Sequence, residues 1–507
     1  MPKLTQQELE SKLWDAADTL RGSIDSSDYK NYIFGFLFLK RLSDQFEEEA
    51  ERILADTGSE DLAYNEPDEH RFFVPAAARW SRLQTLTEKL GEELDKACEK
   101  LEDQNPSLAG ILIGIDFNDE RKLGDQKQLN NTMAQLIQTF SKLNLRNDNL
   151  SEPDLLGRAY EYLIEKFADD AGKKGGEFYT PRHVVELCVT LLEPQEGMRI
   201  CDPTCGSGGM LIAAAKYIRA KGGNPLNVTL YGQEKNAGTA AICKMNMLLH
   251  GYPDAVIERG DTLTTPKLLL DDALRPFDRV IANPPFSLDI DEKIYEFIKS
   301  DPYKRFVYGI PPQSKADLAF VQHMIASLNQ QGKACIIVPH GVLFRGGKES
   351  EIRKRFLEGL PGHSGDLIEA VIGLPTNLFY GTGIPAAILV FNKAKPAARH
   401  NKVLFVDASR DYQDNKKQNK LRDQDIQKIK AAYDTFEPQA QYAAVVSIEE
   451  IASNDYNLNI SRYVTSSEPE REIDLGAAIA RLKELEGERI EAETQMYGYL
   501  RELGFQV

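Results

Sequence analysis

The chain has 507 residues, a formal net charge of −17 and 42% hydrophobic residues. This length exceeds that of one compact domain, so two or three domains of about 100–200 residues each are expected. The acidic charge argues against a protein that grips a DNA duplex alone, because phosphate contacts usually require a basic face.

The segment after Met1 has no apolar core of the kind found in secretion signals. The longest apolar run, Tyr32–Leu39, is far shorter than the roughly 20 residues that span a bilayer. The six scattered cysteines are therefore expected to be reduced thiols of a cytoplasmic protein without membrane contact. No pair of cysteines or histidines has zinc-ligand spacing, so no metal site is predicted.

The first part of the chain has helical periodicity. Thr5-Gln-Gln-Glu8 is a capping box that precedes an apolar face. Similar patterns continue over three longer segments, Tyr32–Leu54, Pro75–Gly91 and Lys122–Leu145. Residues 1–150 are predicted to form a helical N-terminal domain.

After Leu150, short β-branched or apolar runs alternate with helical segments. The runs are Met198–Asp202, Val228–Gln233, Ala255–Glu258, Phe277–Ala282, Ala334–Pro339, Leu367–Ile372 and Ala386–Phe391. This alternation predicts parallel βαβ units and a doubly wound, Rossmann-like α/β sheet over residues 151–400.

The C-terminal part of the sequence is predicted to be a largely helical extension. Residues 401–465 extend the sheet domain, with a strand at Val403–Asp407 and a charged helix at Asn415–Lys430. Ile473–Leu503 has apolar residues at helical spacing among many glutamates. Such a helix can pack on its own domain or contact a partner, and residues 466–507 are assigned to partner contact.

A glycine-rich sequence, Asp202-Pro-Thr-Cys-Gly-Ser-Gly-Gly-Met210, lies between a predicted strand and a predicted helix. Glycines at such a turn let a ligand approach the backbone and leave free N–H groups at the start of the helix. A carboxylate at the strand end suits the cationic methionine part of S-adenosylmethionine better than a pyrophosphate. No P-loop lysine follows. The cofactor-binding candidates here are Asp202, Thr204, Gly206, Ser207 and Gly208; the alternative is a structural tight turn.

Two further carboxylates follow the next two predicted strands. Glu234 is placed to accept hydrogen bonds from both hydroxyls of a ribose, although it could also be a solvated surface residue. Asp261, in Gly260-Asp-Thr262, could accept from the amino group of the cofactor's adenine. Alone, that tripeptide is a common turn.

The sequence Asn283-Pro284-Pro285-Phe286 follows the strand Phe277–Ala282. Two prolines fix the backbone and remove N–H donors, so the Asn283 side chain and the Pro284 carbonyl offer acceptors for one NH₂ group. An aryl amine is a poor nucleophile, and holding both hydrogens favours a pyramidal nitrogen. Phe286 offers a face on which a base can stack. A rigid turn is the alternative, but it is less expected at the edge of a doubly wound sheet, where ligands bind.

Asp-Pro-x-x-Gly-Ser-Gly-Gly followed by Asn-Pro-Pro-Phe resembles the amino-methyltransferases of DNA. With the helical N-terminal region, the order of motifs and the length, the chain is similar to the methylation (M) subunits of type I restriction–modification systems. The resemblance covers residues from about 5 to 460 and is most specific between 175 and 390. It implies S-adenosylmethionine as cofactor and N6 of adenine in DNA as acceptor, so residues 151–400 would be the catalytic domain.

The resemblance also implies roles for two segments. Gly175–Pro181 matches a segment that lies over the cofactor in this family, and its cofactor-binding candidates are Glu177, Phe178, Tyr179 and Thr180. Phe178 and Thr180 would contact the methionine and adenosine parts. Leu374–Tyr380 resembles the loop that carries a second base-stacking aromatic, for which Phe379 is the candidate and Tyr380 the reserve.

In this family a separate specificity (S) subunit reads the DNA sequence, two M subunits join one S subunit, and restriction (R) subunits complete the nuclease. In such an assembly an acidic M subunit need not hold the DNA by itself. Two alternatives stay open: methylation of cytosine N4 or of a protein glutamine, and a non-catalytic scaffold. The intact motif set argues against a decayed site.

Overall fold

The computed structural model describes residues 3–21, 26–112, 114–152, 154–171, 179–380, 382–415, 418–465 and 475–504. It contains two compact units, residues 1–464 and residues 465–507. Across these described ranges, no helix combines the length and the apolar character needed to cross a membrane.

The N-terminal region is helical, as predicted. Its helices are α1 (Gln6–Leu20), α2 (Ser26–Thr57), α3 (Glu60–Tyr64), α4 (Trp80–Leu83), α5 (Leu90–Gln104), α6 (Glu120–Leu123), α7 (Gln126–Ser141) and α8 (Leu155–Ala171). The capping box before α1 is confirmed: the Thr5 N–H donates to Glu8 Oε2 at 3.1 Å, and Thr5 Oγ1 accepts from the Glu8 N–H. The apolar run Tyr32–Leu39 is buried along its whole length, because α2 runs between α1, α7 and α8.

Two predicted helices are interrupted. The prediction of one helix over Pro75–Gly91 is wrong, since only α4 and the start of α5 are α-helical there. The left-handed backbone of Lys89 (φ 52°) prevents a continuous helix from entering α5. At the start of α4, the Trp80 N–H donates to Ser43 Oγ of α2 at 2.6 Å instead of to a preceding helical turn. The predicted helix over Lys122–Leu145 is likewise interrupted at Gly124, because its φ of +86° is incompatible with a right-handed α-helix.

The sheet domain contains eleven strands in the described residues. They are β1 (Arg199–Asp202), β2 (Thr229–Glu234), β3 (Val256–Arg259), β4 (Leu269–Leu270), β5 (Ala273–Leu274), β6 (Phe277–Ala282), β7 (Leu328–Pro339), β8 (Ile368–Gly373), β9 (Ala386–Asn392), β10 (Lys402–Asp407) and β11 (Ala443–Ser447). Strands β4 and β5 form a separate hairpin, and the other nine form one sheet in the order β11-β10-β8-β9-β7-β6-β1-β2-β3. All eight strands predicted from the sequence are present.

The helices between and after these strands are α9 (Arg182–Leu192), α10 (Gly209–Ala220), α11 (Ala237–Leu249), α12 (Glu292–Lys299), α13 (Asp317–Ala326), α14 (Gly341–Phe344), α15 (Lys348–Glu358), α16 (Asp423–Thr435) and α17 (Ile448–Ser453). Layers lie on both faces of the sheet. Within β6, Ile281 belongs to the core that includes α9 and α10, and its neighbour Val280 to the core that includes α13 and α15. Strands covered on both faces read as continuous apolar runs. The doubly wound fold is confirmed.

Two details of the sheet domain differ from the prediction. Strand β9 is antiparallel to both β7 and β8, and β11 is antiparallel to β10, since the short connection from β8 to β9 has no crossover helix in its described part. The charged helix begins at Asp423 instead of Asn415, because Asn419 is hydrogen bonded to the carbonyl groups of Thr376 and Asn377 at 2.9 Å.

A polar cluster around the buried His250 joins α8 to the sheet domain. His250, at the C-terminus of α11, lies with Nδ1 2.6 Å from Asp154 Oδ1, and Lys216 of α10 contacts Glu161 of α8 at 3.0 Å. Burial alone would lower the pKa of His250, but hydrogen bonding to Asp154 and Glu161 raises it above its ordinary value. The His250 ring lies directly over Gly157 of α8, where an added Cβ would be 2.4 Å from the ring.

Replacing Gly157 by alanine is therefore expected to reduce stability by about 1–3 kcal/mol, because the ring has no room for the methyl group. The matched control is Gly238→Ala in α11, where a Cβ would meet only Asn236 Oδ1 at 3.5 Å. That control is expected to be neutral or to stabilise by about 0.5–1 kcal/mol through helix propensity. Thermal unfolding of both variants measures the difference; equal midpoints would contradict this packing.

The second unit contains one described helix, α18 (Leu475–Glu502), as predicted for Ile473–Leu503. Several of its large apolar side chains are exposed, among them Ile479, Leu482 and Ile490. The assignment of residues 466–507 to partner contact, like the other domain boundaries proposed from the sequence, stays a prediction.

Candidate functional site

The candidate site lies where the strand order reverses. β1 and β6 are adjacent and parallel, but β1 continues through α10 to β2 on one side, and β6 leads to β7 on the other. In open α/β sheets, ligands bind in the crevice at the carboxyl ends of the strands at such a switch point. Asp202 ends β1 and Asn283 follows β6, so the topology brings the two motifs together.

The glycine-rich loop turns sharply between β1 and α10. Gly206 and Gly208 have φ values of +52° and +83°, which side chains other than glycine adopt only with strain. A Cβ on Gly208 would lie 2.7 Å from Met247 and 2.8 Å from Cys243 Sγ. The loop is therefore packed tightly from behind by α11, and its backbone faces the crevice.

A cavity in this crevice is lined by Tyr179, Thr180, Val185, Asp202, Thr204, Cys205, Gly206, Ser207, Gly209, Met210 and Asn283. The structure thus brings together seven of the residues selected from the sequence. Glu177 and Phe178 lie outside the described residues. The remaining candidates, Gly208, Glu234, Asp261, Pro284, Pro285, Phe286 and Phe379, surround the crevice without lining this cavity.

Asp202 supplies the carboxyl group of the cavity. Its side chain is almost fully buried, and Oδ1 accepts from the Thr204 N–H at 3.0 Å. Burial raises the pKa of Asp202 to about 8, with a further contribution from the charge of Glu234. A buried carboxyl group with one backbone donor is poorly stabilised as an anion. A cationic ligand would stabilise it.

The other two carboxylates of the sheet edge differ in their contacts. Glu234 accepts from the Gly206 N–H at 3.1 Å and from the Asn236 N–H at 2.8 Å, and burial raises its pKa. It therefore lies beside the glycine-rich loop. Asp261 contacts Lys235 Nζ at 2.8 Å and accepts from the Leu263 N–H. Both oxygens of the Asp261 carboxylate therefore already have a partner.

Asn283 presents an unpaired acceptor to the cavity. Its Nδ2 donates to Thr180 Oγ1 at 3.0 Å. Oδ1 is buried, and no donor in the described part of the chain reaches it. Thr204 Oγ1, in the same cavity, is also buried and unpaired. Buried polar atoms without partners are costly, so both atoms favour a ligand that supplies donors.

The loop after Asn283 is held by a residue that the sequence analysis missed. Ser287 has a left-handed backbone (φ 52°), and its N–H donates to Asp317 Oδ1 at 2.7 Å. Asp317 is buried and also accepts from Arg345 at 3.0 Å. A second missed residue, Asn246 of α11, donates to the Ser207 carbonyl at 2.9 Å. Neither belongs to a local motif, so only the fold reveals them.

Aromatic side chains form one wall of the crevice. Phe286 and Phe379 are in edge-to-face contact, with ring centroids 5.6 Å apart and an interplanar angle of 71°. Tyr380, the reserve candidate, packs against Tyr179 at 5.8 Å. The structure therefore pairs Phe379, and not Tyr380, with the aromatic ring of the Asn-Pro-Pro-Phe sequence.

Comparisons with known proteins agree with this geometry. The family described as N-6 DNA Methylase matches residues 151–472, and the HsdM N-terminal domain matches residues 9–140. The type I restriction enzyme MjaVIII methylase subunit of Methanocaldococcus jannaschii is 35% identical over 99% of this chain and 85% of its own length. The HindI methylase subunit of Haemophilus influenzae is 32% identical over 85% of this chain and its full length.

A solved structure shows the same architecture. The methyltransferase subunit of a type I restriction–modification system from Streptococcus thermophilus is 34% identical and superposes with a TM-score of 0.79. The alignment covers 91% of this chain and the whole of that one. The sequence motifs, the strand order and these relatives agree: the chain belongs to the family of methylation subunits of type I restriction–modification enzymes.

Proposed function

We propose that this chain transfers the methyl group of S-adenosylmethionine to N6 of an adenine that has been flipped out of duplex DNA. The observation that carries the proposal is the buried, unpaired Oδ1 of Asn283, which lines the same cavity as the glycine-rich loop and whose amide contacts Thr180. An acceptor in that position needs a donor from a substrate, and an exocyclic NH₂ group supplies one.

The residues around the cavity fit the proposed cofactor. S-adenosylmethionine supplies an electrophilic methyl group on a positively charged sulfonium. The buried Asp202 offers the opposite charge, and the unpaired Thr204 Oγ1 offers a hydrogen-bonding group. Glu234 would accept from the ribose hydroxyls and Asp261 from the adenine amino group, for which its contact with Lys235 must open.

The second set of residues would bind the target base. Asn283 Oδ1 and the Pro284 carbonyl would each accept one hydrogen of the N6 amino group, which directs the nitrogen lone pair toward the methyl group. Pro284 is buried and Pro285 exposed, and the two rings hold the backbone of the loop rigid. The contribution of this chain is then mainly positioning, which is a large term when two reactants must be aligned.

Phe286 and Phe379 would hold the adenine ring between them. Their present edge-to-face contact leaves no slot for a base, so the rings must separate and become parallel when the base enters. Stacking of a base on an aromatic side chain is worth about 1–3 kcal/mol, which offsets part of the cost of flipping.

The choice of DNA site is assigned to a partner. With a net charge of −17, the chain is poorly suited to hold DNA alone. We infer that it works in a complex of two such chains with one specificity subunit, which binds the DNA sequence, and that restriction subunits join this complex.

The product identifies the acceptor. The purified complex is incubated with isotope-labelled S-adenosylmethionine and DNA, and the nucleosides are analysed by mass spectrometry. Label in N6-methyl-2′-deoxyadenosine is expected. Label in N4-methylcytosine, or in a protein glutamine, would reject adenine as the acceptor. Failure to bind the cofactor would favour a non-catalytic scaffold.

A further inference from the structure

Few large apolar side chains are exposed on the first unit. In its described residues they are Leu226, Val256, Leu270, Phe344 and Ile384. Leu226 and Val256 lie before or at the start of β2 and β3, which is the amino-terminal edge of those strands. Phe344 and Ile384 instead lie at the carboxyl edge, where the candidate site is. Apolar groups exposed singly are common on protein surfaces, whereas groups that share one surface beside a ligand site mark a binding surface.

Phe344 precedes a residue that contacts the loop after Asn283. It ends α14, which follows β7, and β7 is parallel to β6. Its neighbour Arg345 donates to Ser287 Oγ at 3.3 Å, and Ser287 is the residue after Phe286. The Phe344 side chain is 48% exposed.

Ile384 approaches the same place from the other side. It lies just before β9, in the segment that follows Phe379, and it is 53% exposed. The His340 N–H donates to the Pro385 carbonyl at 3.1 Å, so this segment is joined to the start of α14. The two exposed side chains therefore lie on segments that are hydrogen bonded to each other through His340 and Pro385, and one of these segments contacts the loop of Phe286 through Arg345 and Ser287.

The charges nearby indicate what kind of partner this surface fits. Arg345 is bound by the carboxylates of Asp317 and Glu349 at 3.0 and 3.2 Å, which compensate its charge. Lys348 is exposed and donates to the hydroxyl of Tyr295 at 2.7 Å. Because that hydroxyl is neutral, the positive charge of Lys348 is retained. A partner with anionic groups beside flat apolar surfaces matches this combination, and nucleic acid has both.

We propose that Phe344 and Ile384 insert into the base stack that opens at the target site, where they replace the contacts of the flipped adenine, while Lys348 contacts the DNA backbone. This inference rests on the proposed function, because it assigns a role to surfaces around the same site. Apolar side chains that enter between bases are a known way to stabilise unstacked DNA, and unstacking is part of the cost of flipping.

The test uses two DNA duplexes and the complete complex with its specificity subunit. Both duplexes carry a site that the complex methylates in host DNA. In one, the target adenine is paired; in the other, the base opposite the target is absent, so the adenine is already easier to flip. Phe344→Ala and Ile384→Ala are each expected to lower kcat/KM on the paired duplex on the order of tenfold. On the second duplex most of the loss should disappear.

Leu226→Ala is the matched control, since Leu226 is 70% exposed at the opposite edge of the sheet. It should leave kcat/KM unchanged on both duplexes. Thermal unfolding and binding of S-adenosylmethionine confirm that the variants are folded; truncation of exposed side chains should not alter either.

Two results would reject the inference while the unsubstituted complex is active. One is an unchanged kcat/KM in both variants, and the other is an equal loss on the two duplexes, which would indicate a role unrelated to opening the base pair. If the unsubstituted complex transfers no methyl group to adenine, the proposed function itself fails.

Discussion

Asn283→Ala is expected to lower the rate of methyl transfer at least ~100-fold, comparable to the loss of one preorganised hydrogen-bonding group in other active sites. The substitution removes the buried Oδ1 that would accept from the amino group and also the Nδ2 that donates to Thr180 Oγ1. Cofactor binding should change little, since Asp202 and the glycine-rich loop are untouched. Single-turnover transfer and equilibrium binding of S-adenosylmethionine measure the two effects separately.

Asn224→Ala is the matched control for this prediction, because Asn224 is exposed in the loop before β2, at the other edge of the sheet. It should leave both transfer and binding unchanged. An Asn283→Ala complex that methylates DNA at the normal rate would contradict the assignment of this residue. A variant that has lost cofactor binding as well would place Asn283 in the cofactor site instead.

Asp202→Asn is expected to weaken binding of S-adenosylmethionine by about ten- to a hundredfold, the size of a charge-assisted contact. The amide keeps the shape of the side chain but cannot carry the negative charge that faces a cationic ligand. Asp254→Asn is a suitable control, since Asp254 is exposed before β3. Unchanged affinity in Asp202→Asn would show that the buried carboxyl does not contact the cofactor.

The pH dependence of binding gives an independent test of Asp202. Burial raises its pKa to about 8 in the free protein, so the group is mostly protonated at pH 6.5. A bound cation favours the ionised form and lowers this pKa, so binding releases a proton. The contribution of Asp202 to affinity therefore grows as the pH rises toward 8. The difference between the unsubstituted protein and Asp202→Asn isolates this contribution from titration of the cofactor itself; a difference independent of pH would contradict it.

The sequence was most informative where a function depends on adjacent residues. The strand Phe277–Ala282 was predicted with the bounds that the structure has, and the two motifs that follow β1 and β6 meet in one cavity. The strand was predicted from a continuous apolar run, and the two motifs from turns that need glycine or proline. The parallel direction of most strands then follows from the alternation of strands and helices.

Contacts between distant segments were not predictable in the same way. The antiparallel direction of β9 depends on a connection whose described residues contain no helix. The late start of α16 depends on hydrogen bonds from Asn419 to the loop before Phe379. Asp317 holds the loop after Asn283 from a position 30 residues away from Ser287 in sequence. No pattern in either segment indicates these partners, because tertiary contacts override local propensity.

The most direct measurement of the central claim is a map of N6-methyladenine in the genome of a host that expresses this chain together with its specificity subunit. The chain and its partner should produce methylated adenines at one recurring sequence, and replacing Asn283 by alanine should abolish them. Expression without the specificity subunit should give no methylated adenines at a recurring sequence. Methylated adenines that persist with Asn283→Ala, or methylation confined to cytosine, would contradict the account.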